Sequence, residues 1–167
     1  RTDGSAVEKV SDVIQAPTGS SPADLTVYAN CLYYCASAAG GSKLWRFDGA
    51  TASAAPGSSS GANLPQALHA YGGFLYFRAF QVSTGSELWK FDGVNQTLIN
   101  LFPDNPQPPF YMAGSSYPQH FFEYNNLLYF NACGAPGQGT ELWRTDGTAI
   151  TEAARIYPNN GSSPEGF

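Results

Sequence analysis

Charge is what this sequence lacks most. Eight Lys and Arg and 13 Asp and Glu make up 13% of 167 residues, about half the ~25% usual in soluble domains. With a net charge of -5 and a pI near 4.8, it has no basic footprint of the kind nucleic-acid binding requires. No apolar run approaches the ~18 residues that would mark a membrane-spanning helix. Histidine occurs only as His69 and His120, beside no Cys-x-x-Cys or His-Glu-x-x-His pattern. Neither a metal site nor a nucleophilic triad is therefore expected, and we assign no catalytic residue and no cofactor.

Cysteine is scarce too, and odd in number: Cys31, Cys35 and Cys133. Four residues along a strand cover roughly 13 Å, beyond the ~7 Å limit between bridged Cα atoms, so Cys31 and Cys35 are not expected to bond each other. If a disulfide forms, it joins Cys133 to one of them or links neighbouring chains. The other reading is that all three are small apolar groups in strands.

What is abundant is turn and strand text, with 18 Gly, 12 Pro, 10 Tyr, 11 Phe and 3 Trp. So many aromatics and so small a net charge exclude a disordered chain. The sequence also repeats itself. Lys43-Leu-Trp-Arg-Phe-Asp-Gly49, Glu87-Leu-Trp-Lys-Phe-Asp-Gly93 and Glu141-Leu-Trp-Arg-Thr-Asp-Gly147 are three copies of one motif. Each follows Leu32-Tyr-Tyr34, Leu75-Tyr-Phe77 or Leu128-Tyr-Phe130; a Tyr (28, 71, 124) stands four residues before each Leu, and a Pro (22, 65, 118) six before each Tyr. Trp-to-Trp spacing varies instead, from 44 to 54 residues, so fixed offsets mark strands and variable ones mark loops.

The frame divides the chain into a partial repeat at 1–18, repeat one at 19–61, repeat two at 62–114, repeat three at 115–160, and the start of another at 161–167. Within each, we expect strand a (Leu25 to Ala29), a two-residue turn such as Gly72-Gly73 or Asn125-Asn126, and strand b (Leu32 to Ser37). Strand c (Leu44 to Phe47), an Asp-Gly turn and strand d (Gln96 to Phe102, Ala153 to Tyr157) complete it. Strand b is apolar on both faces, so both must be covered. Trp and Leu of strand c point to opposite faces. Arg46, Lys90 and Arg144 share a face with Asp48, Asp92 and Asp146, which suggests local ion pairs. The expected fold is all-β: four-stranded antiparallel meanders stacked as β-propeller-like blades.

The octad Glu-Leu-Trp-Arg-Thr-Asp-Gly-Thr at 141–148 resembles the hallmark of bacterial ELWxxDGT-repeat proteins, and the likeness extends over essentially the whole chain. Copy one departs from it at Lys43 and Phe47, and copy two at Phe91 and Val94. The resemblance implies an extracellular or cell-surface β-repeat protein and brings no catalytic residue with it.

Three blades do not close a propeller of about four to eight, which leaves side-by-side oligomers sharing one ring, an open array extended by other chains, or a piece of a longer protein; the expected partner is the chain itself, as a homo-oligomer or a helical filament completed by neighbouring strands. This favours a non-catalytic structural subunit of a surface fibre, sheath or matrix. The alternative is a glycan-binding lectin using Trp45, Trp89 and Trp143 as platforms, although packing between blades explains a Trp in every repeat more simply. Asn95 and Asn160 begin N-glycosylation sequons. Ser58 to Ser60 and Ser115 to Ser116 read as flexible loops that could carry O-glycans. Phe110, Tyr111 and Met112, after a proline-rich run, are candidate partner contacts.

Overall fold

A computed structural model describes residues 2, 4–7, 9, 19–38, 40–58, 61–103, 114–135, 137–155, 157 and 161–164. It contains three antiparallel four-stranded sheets. The first blade comprises β1 (Ala23–Tyr28), β2 (Cys31–Ala38), β3 (Gly41–Phe47) and β4 (Ala52–Ala54). The second comprises β5 (Asn63–Tyr71), β6 (Phe74–Gln81), β7 (Gly85–Phe91) and β8 (Gln96–Ile99); the third comprises β9 (Gln119–Tyr124), β10 (Leu127–Cys133), β11 (Thr140–Thr145) and β12 (Ile150–Ala154). Neighbours in sequence are neighbours in each sheet, so every blade is the meander expected from the repeat. The first strands pack in series, β1 on β5 and β5 on β9, and the blades stack in propeller fashion without closing a ring.

The turns explain how these strands form. Both turn residues between the first two strands have positive φ in every blade: Ala29 and Asn30 (46° and 61°), Gly72 and Gly73 (58° and 81°), Asn125 and Asn126 (49° and 57°). Two such residues make the turn whose twist matches paired strands, which is why Asn and Gly recur there. At the other end, the Asp-Gly turn is held by its own carboxylate. Asp92 Oδ1 accepts from the backbone N–H of Val94 (2.8 Å) and Asn95 (2.6 Å); Asp48 and Asp146 repeat the arrangement with Ala50 and Thr51, and with Thr148 and Ala149.

Two cores fill the spaces between blades. Tyr33, Cys35 and Leu44 of the first blade meet Leu75, Phe77, Ala79, Trp89 and Phe91 of the second. On the opposite face of the second blade, Tyr76 and Leu88 meet Leu128, Phe130 and Ala132, with Trp143 packed against them. The second blade is thus covered on both sides, and Leu88 and Trp89 serve different cores, as alternation along a strand requires.

Three expectations need correction. The last strands differ from the expected ranges: β8 ends at Ile99 because the N–H of Leu101 is taken by Glu87 at 3.0 Å, and β12 already starts at Ile150, pairing with Thr145 across the tight Asp146 turn. The Arg/Lys–Asp ion pairs do not form among the described residues. The aspartates cap their own turns, while Arg46 donates to Ser53 Oγ (3.3 Å) and Lys90 lies 4.3 Å from the centre of the Phe74 ring. Finally, Ser115 and Ser116 are not a loose loop, since Ser116 is buried.

Candidate functional site

The repeat turns the chain into a series of equivalent surfaces, so each position can be compared with its two counterparts. On the face that looks toward the following blade, Tyr28 of β1 donates its hydroxyl to the carbonyl of Gly73 (2.9 Å), and Tyr71 of β5 donates to the carbonyl of Asn126 (2.5 Å). The third tyrosine, Tyr124, is 60% exposed. Around it, Phe122 is exposed and Leu127, Tyr129 and Leu142 are half-buried. Their counterparts Tyr76 and Leu88 in the second blade, and Tyr33 and Leu44 in the first, are buried. The outer face of the third blade therefore presents what the other two blades cover.

Polar clamps, around a buried glutamate in the second and third blades, tie each blade to the segment that follows it. Glu87, fully buried, accepts from Ser116 N (3.0 Å), Ser116 Oγ (2.5 Å) and Leu101 N (3.0 Å). Burial pushes its carboxyl above the usual carboxylate range, against the opposing pull of these hydrogen bonds. Glu141 receives Ser162 Oγ at 2.6 Å. In the first blade the polarity is reversed, and Lys43 Nζ donates to Asn63 Oδ1 at 2.5 Å. Ser116, Ser162 and Asn63 all stand two residues before a proline, so one structural role is met by a donor serine with glutamate and by an acceptor asparagine with lysine. The sequence reads Ser116 as part of a loop, and no motif marks Ser116 or Ser162 as the partner of a glutamate.

Two of the tryptophans serve the packing. Trp89 is 2% exposed within the first core, and Trp143 lies against the second with its indole N–H donating to the Ala132 carbonyl at 3.0 Å. Trp45 is half-buried on the opposite face of its blade from Leu44. All three cysteines are free thiols. Cys35 is buried and desolvation pushes its thiol up to about 12; Cys133, half-buried, is raised by the same cause. Asn95 is exposed in its Asp-Gly turn, with Nδ2 3.3 Å from Asp92 Oδ2. Asn160, Phe110, Tyr111 and Met112 lie outside the described residues.

A second feature was not legible in the sequence. Where the first strands of the blades begin, an open cleft of about 500 Å³ is lined by Asp24, Cys35, Gln66, Arg78, Gln119 and His120, among others. Asp24, Ala67 and His120, each two residues after the repeat's proline, all have positive φ (53°, 55° and 54°). They mark irregularities in β1, β5 and β9, where the ladder register shifts. Asp24 Oδ2 accepts from Ala67 N (2.9 Å), and Arg78 donates to Gln119 Oε1 (3.4 Å) and to Gln66 Oε1. A bulge of this kind re-aims a side chain, which periodicity alone does not reveal. Among the described residues no group of three or more His, Cys, Asp and Glu side chains could hold a metal, and no helix is long and apolar enough to cross a membrane.

No family model matches the sequence, and no curated protein does. Among solved structures, the chain is similar to Trypanosoma rangeli sialidase in complex with 2-keto-3-deoxy-D-glycero-D-galacto-2,3-difluoro-nononic acid. The likeness has 16% identity and a TM-score of 0.48, and covers 86% of this chain but only 27% of the sialidase chain. A similarity of this size says nothing of activity, and the all-β architecture rests on the three sheets themselves.

Proposed function

We propose that the protein is a non-catalytic, self-assembling structural repeat protein of the ELWxxDGT kind. It would act at the cell surface or outside the cell as a subunit of a fibre, sheath or matrix. The observation that carries this reading is the outer face of the third blade, where Tyr124 is 60% exposed and Phe122 45%. The equivalent Tyr33 and Leu44, and Tyr76 and Leu88, are buried by a following blade, and their counterparts Tyr129 and Leu142 suit a further blade or strand, which we assign to a neighbouring chain. Contact between an open face on one chain and a different face on the next is head-to-tail, which yields a ring or a filament. The exposed Asn95 suits a glycan at a surface.

Sedimentation velocity over a wide concentration range, with electron microscopy of the same samples, tests the reading. Growth in particle size with concentration, into rings or filaments, is the expected result. A monodisperse monomer at high concentration overturns it. For the lectin alternative, Trp89 is buried and offers no open ring face, whereas Trp45 and Trp143 are half-buried.

A further inference from the structure

Residues that build a repeat recur in it, and residues that do something else need not. Around the cleft at the start of the first strands, the recurring prolines Pro22, Pro65 and Pro118 are followed by Ala23-Asp24, Gln66-Ala67 and Gln119-His120. Across the ladder these pairs face Cys35, Arg78 and Asn131. Three equivalent sites, with nearly the same positive φ at Asp24, Ala67 and His120, thus carry an acid and a thiol, an amide and a guanidinium, and an amide and an imidazole. The backbone bend recurs at these three sites while the side chains it carries differ, and they line one surface.

The chemistry of that surface is specific. Arg78 and Gln66 form a ridge shared by the 500 Å³ cleft and a second open hollow of about 330 Å³, lined by Leu64, Phe80, Ser86 and Tyr117. Tyr117 is 57% exposed, Leu64 53% and Phe80 40%. Tyr117 and Leu64 precede their prolines with φ of 47° and 52°, a conformation rare for bulky residues, which holds these apolar side chains outward. Arg78 is propped by the side-chain carbonyls of Gln66 and Gln119 and is the one Lys or Arg among the residues lining either hollow.

We propose that these two hollows bind a saccharide, with one sugar ring against Tyr117 and Phe80 and the Arg78 guanidinium seating the carboxylate of an acidic unit. Exposed aromatic rings beside planar amide and guanidinium groups match the alternating apolar faces and polar edges of a sugar. The fork of a guanidinium matches a carboxylate bidentately. Two open hollows with a shared wall suit a ligand made of repeated units. One guanidinium, in a cleft whose own carboxylate, Asp24, accepts the Ala67 N–H at 2.9 Å, on a chain of net charge -5, suits one ligand carboxylate and not a polyanion. The proposal uses none of the residues on the outer face of the third blade and stands apart from the assembly reading.

The test is a glycan array bearing neutral and singly uronate-substituted oligosaccharides, followed by titration with xylotetraose and with xylotriose carrying one glucuronate. The acidic sugar is expected to bind at least fivefold more tightly. Arg78→Gln should abolish that preference, and Tyr117→Ala, an exposed site with little bearing on folding, should weaken both ligands about tenfold, with urea midpoints serving as the folding control. An array without binders, affinities unchanged in both variants, or a preference for the neutral sugar overturns the proposal.

Discussion

The hydroxyl of Tyr71 donates to the carbonyl oxygen of Asn126 at 2.5 Å, joining the end of one blade's first strand to the first turn of the next blade. Tyr28 makes the same bond to Gly73. Tyr71→Phe should therefore destabilise the monomer by about 0.5–1.5 kcal/mol, near the low end because the rim is wet. Tyr124→Phe should leave monomer stability unchanged and reduce self-association. Urea denaturation and sedimentation separate the two, and a large stability loss in the Tyr124 variant would contradict an open third face.

Glu87 fills three buried donors, so Glu87→Ala leaves the Ser116 N–H, the Ser116 hydroxyl and the Leu101 N–H without an acceptor. At about 1–3 kcal/mol for each unsatisfied buried group, this loss should be among the largest of any polar substitution. The folded carboxyl titrates above its ordinary value, so the folded state binds its proton more tightly than the unfolded chain. Its contribution is fully present below the unfolded pKa, near 4.5, and is lost as pH rises through the raised folded value. Glu87→Gln should remove that part of the pH dependence, which chemical denaturation from pH 4 to 8 measures.

The turn aspartates have the opposite sign. Backbone N–H donors hold Asp48, Asp92 and Asp146 below the usual carboxylate range. Their contribution is present above the unfolded value, near 3.8, and is lost as pH falls through the depressed folded ones. Asp92→Asn keeps an acceptor oxygen for the turn and should flatten the acid limb of the stability curve, whereas Asp92→Ala should lower the melting temperature at every pH.

Trp89 is the largest of the fully buried side chains. Trp89→Ala should cost about 3–5 kcal/mol, and Trp45→Ala, at a half-buried site, distinctly less. Equal losses measured by denaturant titration would show that the first core does not centre on the second blade.

Cys35 should resist alkylation at pH 8, because its thiol is buried and its pKa is pushed up to about 12. The thiolate is the reacting species. Iodoacetamide followed by mass spectrometry should label Cys31 first and Cys35 only after the addition of denaturant. Rapid labelling of Cys35 in the native protein would refute its burial.

The meander, its two hinge types and the division of Leu and Trp between opposite faces were all determined by the sequence. They depend on local rules: positive φ at Asn-Asn and Gly-Gly, a carboxylate folding back on its own turn, and alternation along a strand. Tertiary structure alone decided which faces are covered. Tyr28, Tyr71 and Tyr124 occupy the same repeat position, yet among the described residues only the first two find a following turn carbonyl. Ser116 looked like loop text until a glutamate 29 residues away enclosed it. The cleft was hidden for the same reason. Gln66 and Arg78 are ladder partners within one blade, and Gln119 joins them because β5 packs against β9; the bulges fall at a fixed distance from the repeat's proline, but Asp24, Ala67 and His120 share no residue type that would announce them.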